Sequence, residues 1–118
     1  MGFTDRGKKI CMDAVGGAAR FIGLFLANDT ELSGHGYARK QISAAQMTVS
    51  SAGVITGPAN LVIYTANDGT AQRAMKVGLF ASGVRGTDDA ILEPEAITTP
   101  PAAPANGQDF RLSLTLNP

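Results

Sequence analysis

The twelve residues 31–42, ELSGHGYARKQI, gather side chains able to do chemistry. The only histidine, His35, lies between Gly34 and Gly36, and Tyr37, Arg39 and Lys40 follow it. A histidine works as a general base when a nucleophile meets one ring nitrogen and a third group orients the other. Ser33 and Cys11 are available nucleophiles, but neither sits in a G-x-S-x-G elbow. As a metal ligand, His35 has Asp29 and Glu31 near it in the chain and no second imidazole. That set is thin beside the His- and Cys-rich sets of zinc sites. The flanking glycines therefore read as a turn, with YARKQI as the strand that follows.

Other candidate sites read the same way. A phosphate cradle places a glycine-rich turn between a strand and a helix. GHGYAR lacks the third glycine of G-x-G-x-x-G and precedes a strand-like segment, and GKK at 7–9 lies inside a helix-like one. Asp88, Asp89, Glu93 and Glu95 could pair for acid–base work. They stand in a stretch punctuated by Gly, Thr and Pro and are expected to face water. NDGTAQ starts like a calcium loop but has no closing carboxylate. Asn28-Asp29-Thr30 fits the glycosylation pattern and reads as a turn. No catalytic, cofactor or metal residues are assigned.

The 118 residues suit one domain spanning 1–118. Ten basic and ten acidic residues balance to zero net charge. Nucleic-acid binders carry a basic footprint, and electrostatic membrane recruitment needs a basic cluster, so neither partner is expected. A chain near neutrality tends to associate, which suits a homo-oligomer. A single cysteine allows no internal disulfide. The longest apolar run, residues 18–27, is interrupted by Arg20 and is too short to cross a bilayer. The start of the chain lacks the apolar run of a signal peptide, so assembly in the cytoplasm is expected.

These side chains must be positioned by mostly extended elements. Residues 4–15 predict one short helix, with Thr4 as N-cap, Asp5 in its first turn, and Gly16-Gly17 as its stop. Ile10 and Ala14 share a face of that helix, and Cys11 beside them is expected to pack inward. Residues 19–27 are apolar on both faces, as in a central strand. Residues 36–50 alternate loosely and predict a strand. A Gly57-Pro58 break precedes a compact apolar run at 61–64, and NDG at 67–69 marks a tight turn. Met75, Val77 and Leu79 lie on one face. Residues 97–108 are too rich in proline for a helix or a central strand. Phe110, Leu112, Leu114 and Leu116 alternate with polar residues, giving one buried face. FIGLFLA (21–27) and KVGLFAS (76–82) share G-L-F, as two similar strands of one sandwich would. The fold expected is all-β, an antiparallel β-sandwich of jelly-roll type with one short N-terminal helix.

The order IGLFLAND, GYARKQI, ANLVIYTAND, AMKVGLFAS and GQDFRLSL resembles a family of small tailed-bacteriophage proteins labelled tail fibre proteins. The resemblance spans residues 5–116. The chain departs from the family in Ala81-Ser82, where an acidic residue usually follows G-L-F, and in its proline-rich segment. The resemblance implies a virion structural component without enzymatic activity. Capsid cement, a decoration protein that stabilises the shell, is the expected role, with the major capsid protein or other virion proteins as partners. A tail fibre or tail adaptor is the second expectation, and a small cellular binding module the third. Two tyrosines, five phenylalanines and no tryptophan leave little for carbohydrate binding by a fibre. The expected partner-facing residues are Phe3, Arg6, Lys8 and Lys9 at the start, and Pro100, Pro101 and Pro104 on an extended arm.

Overall fold

The computed structural model describes residues 2–86 and 89–118. The chain opens with α1 (Asp5–Gly16) and continues as β1 (Arg20–Phe25), β2 (Lys40–Ile42), a 3₁₀ turn at Ala44–Gln46, β3 (Thr48–Val49) and β4 (Ile55–Thr56). It then forms β5 (Leu61–Thr65), β6 (Lys76–Phe80), β7 (Ala90–Ala96), β8 (Asp109–Leu112) and β9 (Thr115–Leu116). Every strand pairing is antiparallel. Among the described residues three sheets form, ordered β2-β1-β6-β7, β3-β4-β9 and β5-β8. The architecture is mostly β with one short N-terminal helix, as expected.

One core joins the three sheets. Ile22, Leu24, Val77 and Leu79 face it from the large sheet, Ile55 and Leu116 from the second, and Ile63, Tyr64 and Phe110 from the third. Met12 enters from α1. Thr4 caps that helix as expected, its hydroxyl accepting from the Gly7 amide at 3.1 Å. The inward face is a correction. Met12 and Gly16 are buried, while Ile10, Cys11 and Ala14 are exposed. Gly16 explains the rotation. A Cβ there would lie 3.3 Å from Val49 and 3.7 Å from Ile55, so the missing side chain lets the helix settle on β3 and β4.

β1 is central, between β2 and β6. The repeated G-L-F triplets are the two halves of its pairing with β6. Phe21 lies opposite Phe80, Gly23 opposite Gly78, and Phe25 opposite Lys76. Leucines of both triplets point into the core. The glycines and Phe25 and Phe80 lie on the outer face of the sheet.

Three strand expectations need correction. Residues 36–50 form only β2 and β3, separated by the 3₁₀ turn. Residues 90–96, read as a solvated stretch, form β7 at the edge of the large sheet, where Pro94 is tolerated because an edge strand need not donate on both sides. The alternating run at 110–116 does bury one face, but it serves two sheets. β8 pairs with β5, the chain passes through Ser113-Leu114, and β9 pairs with β4. Residues 97–108 contain neither helix nor strand, as their prolines require.

Candidate functional site

The outer face of β1 and β6 carries a buried polar cluster. Gly23 and Gly78 leave a flat patch, and the Phe80 ring lies over it, with a Cβ at Gly23 coming within 2.6 Å of the ring. Phe25 stacks on Phe80 with ring centres 5.6 Å apart. The Arg39 guanidinium lies over the Phe80 ring, 3.8 Å from the ring centre. Cation and ring attract more strongly when both are shielded from water.

Arg39 is held from several directions. Nε and Nη2 each donate to one oxygen of Glu31 at 2.9 Å, a bidentate fork. Nη1 donates to the Ser82 carbonyl at 3.0 Å and to Asp89 at 3.1 Å. The Arg39 side chain is 1% exposed and that of Glu31 5%. Glu31 also accepts from the Tyr37 hydroxyl at 2.6 Å and the Gly86 amide at 3.0 Å. The Tyr37 hydroxyl in turn accepts from the Leu24 amide. Arg85 donates to the carbonyls of Glu31 and Leu32.

The electrostatics follow. Burial pushes the Glu31 carboxyl up, but hydrogen bonds from Arg39, Tyr37 and Gly86 outweigh it, so its pKa falls below the usual carboxylate value. Arg39 is raised, first by its hydrogen bonds to Glu31. Tyr37 is raised by burial and by its bond to Glu31. Glu31 and Arg39 stay charged at neutral pH. The cluster ties the 31–39 segment, together with Ser82, Gly86 and Asp89, to the face of the sheet. Beside it lies a cleft of about 520 Å³, with Phe25, Asp29, Phe80, Arg85 and Glu93 among its lining residues.

His35 occupies the turn that its glycines suggest. Gly34, His35 and Gly36 all have positive φ, at 64°, 59° and 90°. The orienting group missing from the local sequence comes from the NDG turn. Asp68 accepts from His35 Nδ1 at 2.8 Å, and Asp68 also accepts from the Thr70 amide. The Thr70 amide and then His35 hold the Asp68 carboxyl below its usual range. The pair joins two turns at the surface.

The expected partner-facing residues are held by separate elements. Phe3 is 69% exposed, and Arg6 is exposed beside it. Lys8 and Lys9 are half-buried, and Lys9 pairs with Asp13 at 2.9 Å. Pro100 and Pro101 are half-buried, with their carbonyls accepting from Arg73 at 2.8 and 3.2 Å. Pro104 is buried. The segment is bound to its own chain over this length, and the Pro104 side chain offers no surface to a partner. Asp89 is drawn into the Arg39 cluster, contrary to its expected exposure, and Asp88 lies outside the described residues. Among the described residues no group of three or more His, Cys, Asp or Glu side chains gathers to hold a metal ion. Among them, too, no helix is long and apolar enough to cross a membrane.

Comparisons with family models, curated proteins and solved structures give no match.

Proposed function

We propose that the protein is a non-enzymatic structural component of a bacteriophage virion, a self-associating capsid cement protein that stabilises the shell. One observation carries the reading. Three of the five motifs behind the resemblance, dispersed along the chain, converge on a single packed cluster. IGLFLAND supplies Gly23 and Phe25, GYARKQI supplies Tyr37 and Arg39, and AMKVGLFAS supplies Gly78 and Phe80.

The chemistry of that cluster supports a mechanical role. The Glu31 oxygens and the Arg39 nitrogens are engaged with one another, with Tyr37, and with main-chain groups of the adjoining loops. Groups held this way stiffen the sheet face and cost much to rearrange. A subunit that braces a shell needs such stiffness more than it needs a reactive pocket.

The test is to label virions with an antibody to this protein and image them by electron microscopy. Label distributed over the head is the expected result. Label confined to the tail moves the assignment to a fibre or adaptor. Virions without label overturn the virion reading.

A further inference from the structure

α1 has a second apolar face, opposite the one that it buries. At about 100° per residue, Met12 and Gly16 point into the body and Phe3, Gly7, Ile10 and Ala14 fall on the far side. Phe3 precedes the cap, but its ring lies over Gly7, with Cδ1 3.3 Å from where a Cβ would stand. Phe3 and Ile10 are 69% and 62% exposed. The spacing along the stripe is four, three, four, which is the seam spacing of paired helices.

We propose that this face is the contact surface for a second copy of the chain, with the two α1 helices packed antiparallel. Two features select that occupant and that direction. Antiparallel pairing about the middle of the stripe, between Lys8 and Lys9, sets Phe3 against Ala14 of the second copy, and Ile10 against Gly7. Each large side chain meets a small one. Parallel pairing would set Phe3 on Phe3 and leave a gap at Gly7. The charges agree. Arg6 and Asp13 flank the same edge of the stripe, so antiparallel packing brings Arg6 of each copy to Asp13 of the other. Asp13 already pairs with Lys9, yet its side chain is 50% exposed and can accept a second cation. A contact of three helical turns is smaller than a standard interface, so the pairing is weak, with a Kd on the order of micromolar or above. The inference rests on the proposed function only in its self-association and not on the location of the protein.

Sedimentation equilibrium of the purified chain, from micromolar to millimolar concentration, tests it. The chain is expected to dimerise, and Ile10→Asp to abolish dimerisation while circular dichroism shows a folded monomer. Asp13→Arg is expected to weaken the dimer about 3- to 10-fold, and Arg6→Asp with Asp13→Arg to restore it. Cys11, exposed at the other edge of the stripe, is expected to react more slowly with a thiol reagent as dimer forms. A chain monomeric at every concentration overturns the proposal. So does association that survives Ile10→Asp, or a double charge exchange that restores nothing. A monomer on labelled heads would sink this inference, and with it the self-association, and leave the head location standing, whereas a dimer absent from virions would overturn the virion reading and leave this inference standing.

Discussion

Gly23 and Phe80 are mutually dependent: the ring of Phe80 occupies the space that a side chain at Gly23 would fill, 2.6 Å from its Cβ position. Gly78, across the strand pair, meets the same ring less closely, at 3.2 Å. Gly23→Ala is expected to cost about 1–3 kcal/mol by forcing Phe80 and Arg39 off their positions. Gly78→Ala is expected to cost less. Urea unfolding of both variants checks the order, and equal losses would contradict the stacking argument.

The Glu31–Arg39 pair is expected to be costly to break singly. Glu31→Ala leaves a buried guanidinium with one carboxylate fewer and is expected to cost roughly 3–5 kcal/mol. Replacing both residues with apolar ones, Glu31→Leu with Arg39→Met, is expected to recover part of that loss. A double-mutant cycle in urea measures the coupling, which is expected to exceed about 1 kcal/mol. Simple additivity of the two single variants would mean that the pair does not act as a unit.

Acid is expected to loosen the cluster through Glu31. Its carboxyl titrates lower in the folded chain than its ordinary value of 4.5. Its contribution is therefore present above that value and is lost as the pH falls from there through the folded-state value. Stability measured against pH is expected to drop in that range. In Glu31→Gln the drop is expected to flatten. An unchanged slope would place the acid sensitivity elsewhere.

The His35 turn gives a contrast between two neighbouring glycines. Gly36 has φ +90°, and a Cβ there would strike the Thr65 carbonyl oxygen. Gly36→Ala is expected to cost about 3 kcal/mol or more. Gly34 has φ +64° with open space around it, so Gly34→Ala is expected to cost only about 1–2 kcal/mol. Thermal denaturation of the two variants tests the difference, and a reversed order would show that strain rather than collision governs the turn.

The elements most legible in the sequence are those whose burial depends on local pattern. The two-faced run at 19–27 became the central β1, and the alternation at 110–116 buried the face it named. The charged cluster was not legible. Glu31 and Arg39 are eight residues apart on irregular chain, and nothing local separates them from solvated charges. Their burial comes from Phe80 and from loops some fifty residues on, which no periodicity reports. Strand length at 36–50 failed for a related reason. Tyr37 and Arg39 reach the outer-face cluster, so the chain joins the sheet only at Lys40. Helix orientation depended on one glycine. A wheel weighted by hydrophobicity favours Ile10 and Cys11, whereas contact with Val49 and Ile55 favours the residue with no side chain, Gly16.

The passage of residues 109–116 from one sheet to another sets an order on synthesis. β4 waits for Leu116 and β5 for Leu112, their register partners more than fifty positions later in the chain. A ribosome adds some 5–20 residues per second, so both strands stand without these partners for seconds after they emerge. β5, LVIYT, is apolar enough to seek another partner in that interval. Residues 109–116 therefore act as a late-arriving latch, and a nascent chain stalled before them would present two open strand edges to its neighbours on the same message.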